Sequence, residues 1–431
     1  MLKPIDKFLN GITMYRLLIY GLGIISAISV AFGFTGIIAY DGLHLLLSLA
    51  AILATCYVGN FVFSKIFRAA TNIESSLITG FILFFLFFPA TTVTDFGMIA
   101  LGSLVAMASK YLIAPNKRHI FNPAAFGAFI LGFAGYASIW WVGSTPLFPF
   151  VLVFGLLVVR KIRREQMFVA SVLASTSFML LFAVLNHVDV LDALTKHFLS
   201  WPIIFFASVM ITEPFTTPPT KNLQLVYGVL VGALSSLPFH FGPLYSTPEF
   251  ALVIGNVFSY AVSLKRRLYL RFQDKKEVAT DTFEFSFAVQ PTLHFYPGQY
   301  LEWTLPHAKA DMRGDRRYFT IASSPTEDSV KLGVKFAQPS SSFKQKLLSL
   351  GTNDVILAGQ LGGDFVLPQN KKQKLVFVAG GIGITPFRSM IKYLVDSNER
   401  RDIVIFYCNR TTKDIAYWEL FNEAEKKLGL S

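Results

Sequence analysis

Hydrophobic residues run almost without a break through the first part of the chain, between Met14 and Ser263. These apolar runs predict about ten helices, near residues 14–34, 43–63, 76–90, 96–114, 123–138, 147–159, 168–186, 198–212, 224–239 and 248–264. Several runs are shorter than the roughly 20 residues that cross about 30 Å of hydrocarbon, so we expect those helices to be tilted, broken or half-inserted. The pattern predicts a polytopic α-helical membrane domain over residues 1–264.

The pattern changes from Leu268 onward to short stretches in which apolar and polar residues alternate. "RLYLRFQDKKEVATDTFEFSFAV", "FYPGQYLEWTL", "RRYFTIASSP", "SVKLGVKFA" and "DVILAGQLGGDFVLP" are typical of half-buried strands separated by Gly and Pro turns. About six such strands predict an antiparallel β-barrel over residues 265–370. "SSFKQKLLSL" interrupts them as a single helix with serine at its start.

The last 61 residues, 371–431, follow a third pattern of strand, loop and helix. "KLVFVAGGIGITPFRSMIKYL" and "DIVIFYCNRTTKDIAYWELFNEAEKKL" each contain a buried strand followed by a helix. A glycine-rich turn between a strand and a helix directs backbone N–H groups to a place where a pyrophosphate can bind. We therefore predict a partial α/β nucleotide-binding domain here.

Composition supports a membrane protein and excludes several other classes. Of the 431 residues, 53% are hydrophobic and 15% charged, with a mean hydropathy of +0.50, which is too apolar for a water-soluble enzyme of this size. The net charge of +12 is typical of basic loops facing anionic lipid, so we expect no nucleic-acid partner. Cys56 and Cys408 lie far apart and cannot build a four-cysteine zinc or iron–sulfur site, so no metal site is predicted.

Loop charge predicts the topology of the ten helices. With the amino terminus inside, the outer loops receive Lys196 and four aspartates. The inner loops receive the remaining loop cations: Lys3, Lys7, Lys65, Arg68, Lys117, Arg118, Arg160, Lys161, Arg163, Arg164, Lys221, Lys265, Arg266 and Arg267. By the positive-inside rule, both termini are expected in the cytoplasm, with the protein in the inner (plasma) membrane.

Two membrane motifs share the order Pro, one residue, Thr-Thr: "FFPATTVTD" and "MITEPFTTPPT". They occupy matching places if the helices form two five-helix halves, which would make an inverted repeat with a site near the midplane. The alternative is that both are ordinary helix ends. Glu213, beside the second motif, is expected to face a partner or a cavity, or else to lie at the headgroup boundary. Asn122 and Pro123 in "HIFNPAAFG" predict a capped helix start.

The three segments "HIFNPAAFG", "GSTPL" and "MITEPFTTPPTKNLQLVYGVLVGAL" occur in an order that resembles one membrane-protein family. That family contains the D subunit of the Rnf electron-transport complex and the B subunit of the sodium-translocating NADH:quinone reductase. The resemblance covers roughly residues 15–265 and implies flavin, as FMN or riboflavin, inside the membrane domain. It also implies FMN joined through its phosphate to a threonine on the outer side, a position that falls on Thr145. Val142 stands where the family motif has serine, and the alternative is that Ser-Thr-Pro simply opens a helix.

From about Lys265 the sequence resembles the ferredoxin–NADP reductase family. The match rests on Arg317-Tyr318-Phe319-Thr320, on the serine-led helix and on "GGIGITP". The resemblance implies FAD, with Arg317 on a flavin phosphate, Phe319 stacked on the ring and Thr320 as the catalytic hydroxyl near flavin N5. Other residues are implied to bind the FAD pyrophosphate (Ser341 and Ser342) or the nicotinamide dinucleotide (Gly380, Gly381, Gly383, Thr385 and Pro386).

In this family the nucleotide domain continues through two further strands, with a Cys-Gly-x-Pro-like box. We therefore expect the nucleotide half of this chain to be incomplete, either naturally or because the sequence is a fragment, and its turnover of NAD(P)H to be poor. Cys408, in "YCNR", is not the cysteine of that box.

The combined sequence predicts an NAD(P)H-dependent flavoprotein oxidoreductase in the membrane. Electrons are expected to pass from NAD(P)H through FAD to flavin in the membrane domain, and on to a quinone or another acceptor. Expected partners are membrane lipid, a quinone and other electron-transport subunits. One alternative is a transporter with a flavin redox-sensing domain, in which Glu213 and the repeated motif line a solute path. A haem-type transmembrane reductase is the other, although no predicted helix carries the paired histidines that it needs.

Overall fold

The computed structural model describes residues 3–67, 72–115, 119–242, 244–263, 267–290, 292–307, 311, 315–352 and 354–429. The chain divides into two compact units, residues 1–265 and 266–431. Five of the basic loop residues used to predict the topology lie outside the described residues: Arg68, Lys117, Arg118, Lys265 and Arg266. The predicted domain boundary between residues 264 and 265 also lies outside the described residues. The predicted boundary between the barrel and the nucleotide-binding domain, at 370/371, stays a prediction.

The first unit is helical. Its helices are α1 Lys3–Gly11, α2 Met14–Thr35, α3 Gly42–Ile66, α4 Ile73–Leu86, α5 Val93–Leu112, α6 Pro123–Phe133, α7 Phe148–Ile162, α8 Glu165–Leu185, α9 Val190–Leu199, α10 Ile203–Phe205, α11 Lys221–Ser236 and α12 Pro248–Val262. A π-helical turn, Phe206–Met210, continues α10, and a two-stranded ribbon joins β1 His240–Phe241 to β2 Leu244–Tyr245. Each of the ten predicted segments overlaps a helix, whereas the short amphipathic α1 was not predicted.

Fewer of these helices are full membrane spans than the ten predicted segments. Within the described residues, five are long and apolar enough to cross a membrane: Met14–Phe34, Gly42–Ile66, Val93–Leu112, Thr145–Ile162 and Glu165–Leu185. A sixth span forms if α9 and Ile203–Met210 count as one, although they meet at a 53° bend. The helices α4, α6 and α12 are apolar but shorter. The chain is therefore multi-pass, and the expectation of broken and short helices is confirmed.

Prolines and polar caps explain where the short helices begin and end. Pro123 and Pro248 occupy the first turns of α6 and α12, where the missing N–H costs nothing. The first Pro-x-Thr-Thr segment ends in a capping box that starts α5. There Asp95 N–H donates to Thr92 Oγ1 at 3.2 Å, and Thr92 N–H donates to Asp95 Oδ2 at 2.9 Å. This segment is a helix start, and the inverted repeat stays a prediction.

Small residues allow a close and extensive helix contact in this unit, between α8 and α11. A Cβ atom built on Gly232 would lie 2.3 Å from the carbonyl oxygen of Ser171, and one on Gly228 would lie 2.8 Å from that of Met167. Glycine at these two positions is therefore what lets the helix backbones approach, as is common between membrane helices.

The second unit contains an antiparallel sheet and a smaller parallel one. Its antiparallel strands are β3 Leu268–Ala279, β4 Thr282–Val289, β5 Tyr300–Thr304, β6 Arg316–Thr320, β7 Val330–Lys335 and β8 Val355–Gly362. Their order is β6-β5-β8-β3-β4-β7, and Phe285, Phe287 and Trp303 are buried in the core. Just past β6, the N–H of Ala322 donates to the carbonyl of Lys331 in β7 at 2.8 Å. The described strands thus form an antiparallel half-barrel whose two edge strands meet through this bond.

The nucleotide-binding part follows the half-barrel. Helix α13 Ser342–Leu348 lies between β7 and β8, and the parallel strands β9 Leu375–Gly380 and β10 Ile403–Cys408 alternate with α14 Thr385–Asp396 and α15 Trp418–Leu428. The 3₁₀ turn Gly381–Ile384 joins β9 directly to α14. This strand–turn–helix order is the one that the sequence pattern predicts.

Candidate flavin and nucleotide site

Strand β6 carries the predicted flavin residues, and its alternation divides them between two faces. Arg317 pairs with Trp303 and Phe319 with Leu301, so these two side chains share the face of two buried β5 residues. Thr320 pairs with Tyr300 on the opposite face. The structure therefore places Arg317 and Phe319 together and leaves Thr320, which is half-buried, on the other side of the strand.

Arg317 and Phe319 both lie against the buried ring of Phe343. The guanidinium carbon of Arg317 is 5.3 Å from the centroid of that ring, and the ring of Phe319 is 5.8 Å from it. The Arg317 side chain is 17% exposed and forms an ion pair with Asp311, with 3.3 Å between Nη2 and Oδ1. A guanidinium fixed by an aromatic ring and a carboxylate is suited to bind an anion.

The start of α13 meets the same cluster. The Ser341 hydroxyl caps the helix by accepting the N–H of Lys344 at 3.4 Å. The N–H of Ser342 donates to Asp311 Oδ2 at 3.2 Å, and the N–H of Asp311 donates to Ser342 Oγ at 2.9 Å. The Asp311 carboxylate therefore lies between Arg317 and Ser342, in a place that favours an anion. Sequence reasoning missed both Asp311 and Phe343, because nothing in the local pattern distinguishes them.

The opposite face of β6 presents a polar aromatic surface. The hydroxyl of Tyr318 lies 2.9 Å from Glu302 Oε2 and 2.9 Å from Gln360 Oε1, and its ring meets that of Tyr300 edge-on at 5.6 Å. Tyr318 is 51% exposed. Gln360 Nε2 is buried and has no hydrogen-bond acceptor among the described residues. An unused buried donor beside an exposed ring leaves one hydrogen bond available to a ligand that carries an acceptor.

The predicted nucleotide residues surround the turn between β9 and α14. Gly381 has a φ of +50°, in the left-handed region that favours glycine. A Cβ on Gly380, Gly381 or Gly383 would meet no other described atom within 4 Å, so this side of the turn is open. The Thr385 hydroxyl donates to the carbonyl of Ile382 at 3.3 Å, within the turn itself. Pro386 lies in the first turn of α14, and the helix start with its open glycines fits a pyrophosphate.

An ion cluster joins the half-barrel to α14. It consists of Arg388, Glu327, Glu284 and Lys331, all with side chains at most 22% exposed. Burial opposes ionisation of Glu327, but the hydrogen bond and charge of Arg388 outweigh it and lower the pKa of Glu327 to about 2. The cluster escaped sequence reasoning because its members are far apart in the chain.

The low pKa of Glu327 predicts a stability change with pH. Its ordinary value is 4.5, so the carboxylate contributes up to about 3 kcal/mol that is present above pH 4.5 and lost as the pH falls towards 2. We expect the temperature at which FAD is released from the full-length protein to fall over this window. In Glu327→Gln the release temperature should be lower at pH 7, and the difference between the two proteins should shrink progressively as the pH falls from 4.5 towards 2. A gap that stays constant from pH 7 to pH 3 would refute this assignment.

In the membrane unit, Thr145 lies in the loop before α7. Its side chain is exposed, and its hydroxyl donates to the carbonyl of Leu199 at 3.1 Å. Gly143 lets this loop approach Pro202, because a Cβ there would lie only 2.8 Å from the Pro202 nitrogen. Beside the loop is a very small cavity of about 10 Å³, roughly the space of one water, whose lining is mainly apolar and includes Val142, Phe148, Phe198, Trp201 and Phe205.

Glu213, in "MITEPFTTPPT", joins that segment to the start of α6 in "HIFNPAAFG". Its Oε2 accepts hydrogen bonds from Asn122 Nδ2 at 2.8 Å and from Thr216 Oγ1 at 3.1 Å. Asn122 also caps α6, as predicted, by accepting the N–H of Ala125 at 3.0 Å. Its own N–H donates to Asn256 Oδ1 at 2.7 Å. Glu213 therefore has the partners that a carboxylate in an apolar unit requires.

A second buried carboxylate, Glu249 in α12, was not predicted. It accepts hydrogen bonds from Ser138 Oγ at 2.5 Å and from Trp140 Nε1 at 2.9 Å, which fixes the segment that leads to Thr145. A glutamate in the first turn of an apolar helix is the only sequence signal that could have found it.

Two different known families match the helical unit and the sheet-containing unit of the chain. Residues 140–264 match the NQR2, RnfD, RnfE family, and residues 377–430 match the oxidoreductase NAD-binding domain. The chain thus contains one region similar to the first family and, after it, one region similar to the second. The resemblances inferred from the sequence motifs are thereby confirmed at the level of the two families.

The curated relatives match only part of this fusion. The flavohemoprotein of Candida albicans is 30% identical over 134 residues, which are 31% of this chain and 32% of that protein. The glycine betaine monooxygenase reductase subunit of Chromohalobacter salexigens is 31% identical over 134 residues, or 30% and 35% of the two chains. The chain thus spans about a third of the length of these relatives.

Among solved structures, a ferredoxin–NADP⁺ reductase from Plasmodium falciparum is 19% identical. The match covers 39% of this chain and 75% of that one, with a TM-score of 0.35. An Amycolatopsis cytochrome P450 reductase is 23% identical over 38% of this chain and 50% of its own, also with a TM-score of 0.35.

Proposed function

We propose that the protein is a membrane-bound flavin oxidoreductase. NADH or NADPH supplies electrons to FAD in residues 266–431, and they pass to a flavin in the membrane region and on to a quinone or another acceptor. The observation that carries this proposal is the fusion, in one chain, of an NQR2, RnfD, RnfE-type region with an oxidoreductase NAD-binding domain. A reductase module tied to a membrane region is suited to feed electrons into it.

The FAD site proposed here centres on Arg317. Its guanidinium would bind a flavin phosphate, which would take over the place of the Asp311 carboxylate. Ser341 and Ser342 would receive the pyrophosphate, and Phe319 would stack on the flavin ring. Bound FAD supplies the step between a two-electron hydride donor and one-electron acceptors.

Thr320 and the glycine turn complete the proposed reductase site. Thr320 would place its hydroxyl at flavin N5. The open glycines Gly380, Gly381 and Gly383 would let the nucleotide pyrophosphate approach the backbone, with Thr385 and Pro386 starting the helix behind it. These residues bind and orient, because hydride transfer needs nicotinamide C4 about 3–3.5 Å from flavin N5.

The membrane flavin, FMN or riboflavin, is proposed at the loop of Thr145. The threonine hydroxyl is exposed, and the side chains beside the loop are mainly apolar, so that the ring system of an attached flavin could pack against them. For FMN, the Thr145 hydroxyl would attack the FMN phosphorus of an FAD molecule, so that the P–O–P bond breaks, AMP leaves, the hydroxyl proton is released and a phosphate ester forms at Thr145 Oγ1. This loop is proposed on the outer side of the inner membrane, with both chain termini in the cytoplasm.

Other subunits are part of this proposal. The NQR2, RnfD, RnfE family implies a complex with further electron-transport proteins, and the membrane region would contact lipid and the quinone.

The proposal is tested by an absorbance spectrum of the purified full-length protein. We expect the absorbance bands of a protein-bound flavin, at about 370 and about 450 nm, and FAD in the acid extract. Both bands should bleach when NADH or NADPH is added. A haem Soret band, or a protein without extractable FAD, would contradict it. Solute uptake with no oxidation of either nucleotide would favour a transporter with a flavin sensor instead.

A further inference from the structure

Arg388 connects the two parts of the proposed reductase site. It lies in the first turn of α14, three residues after Thr385 and so directly behind the glycine turn. Its Nη1 donates to the carbonyl oxygen of Ala322 at 3.1 Å. Ala322 lies two residues after Thr320, the residue proposed at flavin N5. The Arg388 side chain thus reaches from α14 to the segment directly after β6.

A second bond runs beside it. The hydroxyl of Ser389 donates to the carbonyl oxygen of Ser323 at 2.6 Å, and both residues are fully buried. The two consecutive residues of α14 therefore hold two consecutive carbonyls after β6. Two adjacent hydrogen bonds fix the relative orientation of α14 and the segment after β6, as well as the distance between them.

Carboxylates hold the Arg388 guanidinium in place. Both of its terminal nitrogens contact Glu327, with 3.0 Å between Nη2 and Oε1, and its Nε lies 3.6 Å from Glu284 Oε2. The ring of Tyr417 lies 5.5 Å from the guanidinium carbon. The Arg388 side chain is only 7% exposed, so this fork is rigid and largely removed from water.

The half-barrel also touches the glycine turn at Gly333. A Cβ built on this residue of β7 would lie 2.7 Å from Thr385 Cγ2 and 2.6 Å from the hydroxyl of Tyr417. Thr385 is therefore pressed against the sheet, and the distance between turn and sheet is set from both sides.

We propose that Arg388, held by Glu327, is a positioning residue that fixes the nicotinamide-binding turn at the distance from the flavin that hydride transfer requires. This inference rests on the proposed function of the module. An error of about 1 Å in such a distance can cost about 100-fold in rate. Arg388 would act through the backbone of residues 322 and 323, without touching either cofactor.

A second ion pair between the same two parts provides the matched control. Lys335 of β7 lies 2.6 Å from Asp414 in the loop before α15. Like the Arg388 ion cluster, this pair joins the half-barrel to the nucleotide-binding part. Unlike Arg388, it forms no hydrogen bond with Ala322. Loss of this pair should weaken the connection without moving the turn relative to Thr320.

The test uses the full-length protein in nanodiscs, with anaerobic stopped-flow reduction of FAD by saturating NADH or NADPH. In Arg388→Met we expect the limiting reduction rate to fall about 100-fold, with nucleotide affinity, FAD content and dithionite reduction within about threefold of the parent. Arg388→Lys should recover part of the rate. Lys335→Met should stay within about threefold. The primary isotope effect with nucleotide deuterated at C4 should rise in Arg388→Met only.

Two further variants cover a failure to fold. Arg388→Met combined with Glu327→Gln leaves no uncompensated buried charge, and Gly333→Ala keeps the ion cluster while displacing Thr385. Both are expected to reduce slowly, and parent-like rates in folded, FAD-loaded forms of both would overturn the inference. Equal losses in Arg388→Met and Lys335→Met would overturn it as well.

A separate measurement distinguishes this inference from the proposed function. If neither nucleotide reduces the parent protein, the proposed function fails, and amide hydrogen exchange then decides the geometry. We expect exchange over residues 321–324 and 331 to quicken at least about tenfold in Arg388→Met and to stay unchanged in Lys335→Met. No change in Arg388→Met would show that Arg388 does not hold this segment.

Discussion

Arg317→Ala is expected to weaken FAD binding by roughly 10- to 150-fold in the full-length protein. The structure fixes this guanidinium between Phe343 and Asp311, and a charge-assisted hydrogen bond to a phosphate is worth about 1.5–3 kcal/mol. Protein purified without added FAD should lose most of its extractable FAD. Isothermal titration of the flavin-stripped protein with FAD measures the affinity directly.

The neighbouring arginine gives the control for this prediction. Arg316 lies on the opposite face of β6, where it pairs with Glu302 at 3.7 Å. Arg316→Ala removes the same charge from the same strand, so a general electrostatic effect would appear in both variants. Similar losses of FAD affinity in the two would mean that Arg317 has no specific part in the site.

Thr145→Val is expected to abolish covalent flavin in the membrane region. Valine has the shape of threonine but no hydroxyl, so the phosphate ester cannot form. A denaturing gel of the parent, expressed in a host that attaches flavin to such subunits, should fluoresce at the full-length band under ultraviolet light. The band of Thr145→Val should be dark, while FAD in the acid extract stays at the parent level.

Ser144 provides the matched control, because its hydroxyl is adjacent but buried and without a partner in the part of the chain that the structure describes. Ser144→Ala should keep its fluorescence. Fluorescence that survives in Thr145→Val would remove Thr145 as the attachment residue. A dark band in the parent would leave only noncovalent flavin for this region.

The periodicity of the sequence predicts the elements well, and long-range geometry decides the rest. All ten apolar runs contain helical residues. In lipid the backbone N–H and C=O groups must bond to each other, and a helix achieves this within a single segment. The 53° bend between α9 and α10 was not predicted, since it depends on how Ser200 to Pro202 packs against the loop at Gly143. The number of full spans therefore could not be read from apolar length alone.

The residues of the candidate site likewise fall into two groups, those that the sequence predicted and those that depend on long-range contacts. Arg317 and Phe319 were predicted from the resemblance of Arg317-Tyr318-Phe319-Thr320 to a family motif, and their two-residue spacing places both on one face of β6. The same alternation places Thr320 on the other face, which the resemblance did not indicate. Asp311, Phe343 and the pair Arg388–Glu327 were missed, because contacts between residues up to 61 positions apart leave no periodic signal.

Transfer of electrons between the two units is tested most directly by an anaerobic NADH or NADPH titration of the full-length protein in nanodiscs. If electrons pass from FAD to the membrane flavin, each nucleotide supplies two electrons, and about one equivalent per flavin should bleach the flavin absorbance completely. In Arg317→Ala, the membrane flavin should stay oxidised with either nucleotide yet bleach with dithionite. A parent protein in which nucleotide reduces the FAD share alone, while the membrane flavin remains oxidised, would contradict the account.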